Sequence, residues 1–200
     1  DKTNIGYQMP KFTFGWTNTF RYKNFDLSVF INGSYGNKVY NYLSMKLTHM
    51  NSPWTNQLNA VNGRAQLVPI NPNKVYEDGT MWYNDVSNVM VANPGASIPR
   101  ATINDPNDND RISDRYIEDG SYIRLKNISL GYTFPKKTID KLGLSNLRIY
   151  ANIQNLLAIT GYDGYDPEIG ASTSSVNVYG LDNGRYPSPT VYSFGLNVSF

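Results

Sequence analysis

The sequence predicts an all-β chain: about five strands of an antiparallel transmembrane β-barrel, with long extracellular loops at one end. Three observations carry this. Residues 189–200, PTVYSFGLNVSF, put Tyr192, Phe194, Leu196, Val198 and Phe200 on one parity and Ser193, Gly195, Asn197 and Ser199 on the other. That is the period of a strand with one apolar and one polar face. The same alternation recurs at intervals along the chain. The connections alternate too, short at 23–24 and 135–146, long at 37–117 and 159–188.

Composition agrees with this class. The 200 residues are 40% hydrophobic and only 17% charged, with 16 Tyr, 16 Gly and 11 Pro. Few charges with many aromatics favour strands joined by polar loops over helical bundles. A net charge of +2 without a Lys/Arg cluster offers no footprint for nucleic acid. The absence of cysteine excludes disulfides, thiolate metal sites and cysteine nucleophiles. No run of about 18 apolar residues marks a transmembrane helix. The opening DKTNIGYQMP has neither an initiator Met nor a signal peptide, so a piece of a longer polypeptide is expected.

The first strand is expected near 10–22, with Phe12, Phe14, Trp16, Phe20 and Tyr22 on the apolar parity and Asn18 as its exception. Lys23-Asn24 supplies a tight reversal. A second strand near 24–36 sets Phe25, Leu27, Val29, Ile31 and Tyr35 against Asp26, Ser28, Asn32 and Ser34, with Phe30 on the polar side. Residues 37–117 form a long excursion that begins with a helix expected over 39–50. Such a connection counts against a compact soluble domain, but membrane barrels pair short periplasmic turns with long external loops.

A third strand is expected near 118–134. Ile128, Leu130, Tyr132 and Phe134 share one parity and Ile123 and Leu125 the other, so a β-bulge is expected about Lys126-Asn127. One helical coil over 138–144 leads to a fourth strand near 147–158, where Leu147, Ile149, Ala151 and Ile153 alternate with Arg148, Tyr150, Asn152 and Gln154. The loop at 159–188 precedes the last strand, at 189–200. Such a strand is long enough to cross a bilayer when tilted, although the closing strand of a soluble sandwich has the same pattern. Five crossings cannot close a bacterial barrel, which has an even strand number, so further strands are expected before Asp1.

The stretch YIEDGSYIRLKNISLGY at 116–132 resembles the C-terminal end of SusC/RagA-type TonB-dependent outer-membrane transporters of Bacteroidetes. RIYANIQNL at 148–156, GYDGYDPEIG at 161–170, GRYP at 184–187 and FGLNVSF at 194–200 follow in the same order. The resemblance is close over roughly 118–200, loose over 10–36, and carried little by 37–117. It implies a 22-stranded barrel in the bacterial outer membrane around an N-terminal plug, energised through TonB. It further implies a SusD-like surface lipoprotein as partner, and glycans or oligopeptides as cargo. The plug domain and TonB-contacting segment are not in this chain. Phe200 resembles the terminal aromatic signal read by the barrel-assembly machinery.

Little catalytic inventory is visible, and no enzyme activity is expected. Asp163, Asp166 and Glu168 resemble a carboxylate group for glycoside hydrolysis, but Asp and Gly around Pro167 are also ordinary turn chemistry. Asp105, Asp108 and Asp110 are candidate ligands for a structural Ca²⁺, although the Gly and closing Glu of a calcium loop are missing. His49 is the only histidine, and no Gly-flanked nucleophilic Ser accompanies it. Trp54, Trp82, Tyr83, Tyr162, Tyr165 and Tyr179 are candidates to meet ligand or partner, because flat rings offer large area at little entropic cost. They can equally pack within the loops. Outer-membrane nutrient import is the leading reading. A soluble carbohydrate-binding β-sandwich is the alternative, and it would bury the apolar faces against a second sheet.

Overall fold

A computed structural model describes residues 2–168 and 179–200. The middle of the 159–188 loop, including Ile169 and Gly170 of the GYDGYDPEIG motif, lies outside the described residues. In chain order the elements are β1 (Phe12–Tyr22), β2 (Phe25–Tyr35), β3 (Lys38–Asn41), α1 (Tyr42–Thr48), β4 (Leu67–Pro69) and β5 (Val89–Val91). β6 (Ile117–Asp119), β7 (Tyr122–Thr133), α2 (Lys136–Ile139), β8 (Asn146–Thr160), β9 (Leu181–Asp182) and β10 (Val191–Ser199) follow. They form two compact units, one holding the residues up to Asn41 and from Ile117 onward, the other Tyr42–Tyr116.

In the first unit β1, β2, β7, β8 and β10 make one sheet in that order, with every neighbouring pair antiparallel. Each long strand thus lies beside the next long strand of the chain. Tyr22 pairs with Phe25 across the first turn, where Lys23 adopts the left-handed backbone at φ 51°. Register sorts the side chains. Phe20, Leu27, Leu130, Ala151 and Phe194 form one row across all five strands. The next row, Arg21, Asp26, Gly131, Tyr150 and Gly195, belongs to the opposite face.

The register shifts between Leu125 and Asn127 of β7 and between Phe30 and Ile31 of β2, where the parity slips in the sequence. The slip lets Ile123 and Leu125 return to the face of Ile128 and Leu130. β8 carries its own irregularity at Asn155, φ 51°. It runs on to Thr160, so that Leu157 and Ile159 pair with Leu125 and Ile123.

Two local expectations are corrected. The helix expected over 39–50 is limited to Tyr42–Thr48, and the residues before it are strand β3. β3 pairs antiparallel with β6 and parallel with β9. This pairing buries Val39 and Asn41, and Asn41 donates to Glu118 Oε1 at 2.8 Å. Tertiary pairing overrides local helix propensity here. The strand expected from 118 is likewise two strands in different sheets, β6 and β7, interrupted at Gly120.

The second unit holds α1, the β4–β5 hairpin and a short core including Met45, Ile98 and Tyr116. Among the described residues no helix is long and apolar enough to cross a membrane.

Candidate functional site

The five-stranded sheet presents two chemically different faces. On the apolar one, Phe12, Phe14, Trp16, Phe20, Phe25 and Leu130 are exposed, as are Ile149, Tyr192 and Val198. Phe194 is 83% exposed and Leu196 60%. No second layer of the described protein covers these side chains. A soluble sandwich would bury them, at roughly 25 cal/mol per Å² of apolar surface removed from water. An apolar patch of this extent marks a surface that something else covers.

The opposite face is polar, and charged side chains on it pair across strands. Arg148 on β8 reaches across β7 to Asp26 on β2, with Nη2 donating to Oδ2 at 2.6 Å. Gly131 lies beneath the pair, and a Cβ there would collide with the guanidinium and the carboxylate. Tyr150 lays its ring over Gly195 in the same way, and Arg148 sits 5.3 Å from that ring. Phe30, the aromatic on the polar side, lies over Gly15. Glycine on β1, β7 and β10 thus lets long side chains lie flat along this face.

At the loop end of the sheet a charge cluster centred on the buried Arg124 ties loop to sheet. Arg124 on β7, with its side chain 5% exposed, donates through Nη2 to Asp166 Oδ1. Its Nε lies 3.5 Å from Glu168 Oε2, which also accepts from Lys126 Nζ at 2.7 Å. Asp166 accepts from the backbone N–H of Glu168 at 2.9 Å and of Ser188 at 3.0 Å, so one carboxylate holds both ends of the loop. Burial pushes the Asp166 carboxyl up, but the Ser188 and Glu168 N–H groups and the Arg124 charge outweigh it and hold it below the ordinary value of 3.8.

A carboxylate with a depressed folded-state pKa contributes stability above its unfolded pKa, and loses it as pH falls through the folded value. Anchoring of the loop is therefore expected to be unchanged from neutral pH to about 5 and to fail only below the ordinary carboxylate range. Backbone hydrogen exchange at Glu168 and Ser188 measured across pH, corrected for intrinsic rate, checks this. Loss of protection already at pH 6 would contradict it.

These contacts engage two of the three carboxylates at 163–168. Asp166 and Glu168 are bound to Arg124 and Lys126, an arrangement that anchors the loop to the sheet. Tyr162, expected to present its ring, is buried at 6% exposure and donates its hydroxyl to Asp182 Oδ2. Burial and that carboxylate push its phenol above its ordinary value. The reason is tertiary: the loop folds back through β9, whose buried Asp182 accepts the phenol hydrogen bond. Tyr165 and Tyr179 of the same unit are exposed.

In the second unit Trp54 is 93% exposed and Tyr83 is exposed, whereas Trp82 is half-buried and packs edge-on to Tyr83 at 5.7 Å. His49 Nε2 lies 2.9 Å from Asp105 Oδ2, and Nδ1 lies 4.0 Å from Asp110 Oδ2. Asp105 also accepts from the Asn109 backbone and side chain. The cluster is therefore His49, Asp105 and Asp110, and Asp108 does not join it. An imidazole in the set departs from the all-oxygen coordination of Ca²⁺. Phe200 is exposed just beyond β10, where Ser145 Oγ donates to its carbonyl at 3.3 Å.

Sequence reasoning missed Arg124, Lys126 and Asp182. Their signal was a charge on the polar parity beside the bulge and the paired Asp-containing turns. No spacing rule joins Arg124 to Asp166 across 42 residues.

Comparisons with known proteins follow this geometry. A TonB-dependent receptor of Formosa agariphila is 35% identical over 205 residues, covering 100% of this chain and 17% of the relative. The TonB-dependent receptor SusC of Bacteroides thetaiotaomicron is 29% identical over 189 residues, covering 93% of this chain and 15% of SusC. A solved structure of the RagAB peptide transporter matches the fold at a TM-score of 0.71 with 19% identity, covering 98% of this chain and 18% of that chain. The chain spans less than a fifth of the length of these relatives. No family model matches it.

Proposed function

We propose, for a chain similar over its whole length to SusC/RagA-type TonB-dependent receptors, that it forms wall and external loops of an outer-membrane nutrient importer. The observation that carries this reading is the uncovered apolar face, whose phenylalanine, leucine and isoleucine side chains suit hydrocarbon while Arg148, Asp26 and Tyr150 line a wet interior. Such a protein binds and passes cargo without covalent chemistry, through binding that differs between conformational states. In the whole polypeptide a plug would fill the barrel and TonB would act on it. A SusD-like lipoprotein would close over the loops, and the cargo would be a glycan or an oligopeptide.

Of the expected aromatic residues, Trp54, Tyr83, Tyr165 and Tyr179 are exposed and suited to cargo or partner. The two kinds of cargo separate in a growth assay. Cells lacking the polypeptide that carries this chain are expected to lose growth on one of two sole nutrient sources, an oligosaccharide pool or an oligopeptide pool. Restoring the gene should restore growth. Unimpaired growth on both pools, with the protein verified absent, overturns import as its role.

A further inference from the structure

We infer that the apolar face carries a binding site for an anionic phospholipid at the short-turn end of the sheet. The inference rests on the reading that this face meets lipid, and goes beyond it by assigning one position and one headgroup charge. A groove of about 550 Å³ opens on that face, lined by Phe25, Leu130, Ile149, Ala151, Phe194 and Leu196. It has a simple cause in the sequence. The apolar positions of β8 are Leu147, Ile149, Ala151, Ile153, Leu157 and Ile159, and Ala151 alone is small. Ala151 pairs with Leu130 on one side and Phe194 on the other, so a notch opens between two large side chains. Its walls are hydrocarbon and suit an acyl chain.

The groove begins close to the turns, and its end there is aromatic and basic. Phe25 and Tyr132 have ring centroids 4.6 Å apart, and Tyr132 and Phe134 5.0 Å apart. Such a belt is what membrane barrels place at the level of the headgroups. The two turns are neighbours, since Thr133 N donates to Asn24 O at 2.9 Å. Between them they hold Lys23, Lys136, Lys137 and Lys141 against the single carboxylate of Asp140. All four lysines are exposed, and none forms an ion pair among the described residues. Lys23 Nζ lies 5.2 Å from the Tyr22 ring, on the apolar side.

Ammonium groups on the turns at the same end of the sheet as this acyl-sized groove complement a phosphate with net negative charge, and a zwitterionic headgroup much less. The short-turn end is the periplasmic one in such barrels, so the occupant comes from the phospholipid leaflet facing the periplasm.

The test uses the full polypeptide in nanodiscs containing phosphatidylcholine and phosphatidylglycerol, extracted into mild detergent, with retained lipid counted by native mass spectrometry. The wild type is expected to retain phosphatidylglycerol over phosphatidylcholine by about fivefold or more, the order expected for each lysine near the headgroup. Replacing Lys23, Lys136 and Lys137 by Gln (K23Q, K136Q, K137Q), which alters only turns, should abolish the preference. Ala151→Phe should reduce retention of both lipids by closing the notch, with correct assembly verified by heat-modifiable gel migration. Equal retention of the two lipids by the wild type, or an undiminished preference in the lysine variant, overturns the site. A protein that inserts normally but shows no headgroup preference refutes only this inference. One that never enters nanodiscs refutes the lipid-facing reading beneath it.

Discussion

Arginine introduced on the apolar face is expected to cost about 2–4 kcal/mol where the residue lies near the bilayer midplane, and the same change on the polar face to be mild. The pair to compare is Leu196→Arg with Thr17→Arg. Leu196 lies on the apolar face of β10, 60% exposed in the chain alone, in one row with Ile149 and Tyr132 toward the short turns, so its cost is expected at the lower end of that range. In a barrel it would meet hydrocarbon, where a guanidinium finds neither water nor partner. Thr17 pairs with Phe30 on the opposite face, beside Gly15 and Asn32, where an arginine can extend into water. Phe14→Arg, on the apolar face of β1, is expected to behave as Leu196→Arg does, less so if it lies nearer the interface. Urea-dependent folding into lipid vesicles measures the difference. Equal tolerance at both positions would falsify the assignment of the faces, and with it the reading of the chain as membrane wall.

Arg124→Met is expected to destabilise the anchored loop by about 3–5 kcal/mol, because it leaves the Asp166 carboxylate without its buried cation. The effect should be local. Asp166 holds Glu168 N and Ser188 N only while its position is fixed by the Arg124 guanidinium. Faster exchange at those amides and new protease sensitivity near Arg185 are the readouts. Lys126→Met is the internal comparison. Lys126 pairs with the same Glu168, yet both side chains are about one-third exposed, and a solvated pair of this kind contributes up to about 1 kcal/mol. If the two substitutions proved equivalent, the buried guanidinium would not be the anchor.

Residues adjacent in sequence announced much of this sheet. Alternation in β1, β2, β8 and β10 is a one-dimensional signal, since side chains two residues apart share a face whatever the rest of the chain does. The bulge was legible for the same reason: Ile123 and Leu125 can rejoin Ile128 and Leu130 only if one residue is skipped. Phe30 looked like an error in the pattern and is accounted for by Gly15 on the neighbouring strand.

Loop chemistry was far less legible. Tyr162 and Tyr165 are alike in composition and neighbourhood, yet one is inside the loop against Asp182 and the other is out in solvent. His49 was set aside as solitary, and the fold gives it Asp105, 56 residues away. Contacts at such separation depend on how loops fold back, and local pattern carries no record of that.

By itself, then, the sequence determined the alternating faces, the antiparallel meander and the end at which the long loops gather. These follow from side-chain period and connection length, both local quantities. Only the tertiary structure decided that one carboxylate, Asp166, ties two ends of a loop to Arg124, that β3 is strand where helix was expected, and that Ala151 opens a notch between Leu130 and Phe194. Each depends on which strand lies beside which and in what register, and a buried charge or a missing side chain acquires its meaning only from the neighbour that register supplies.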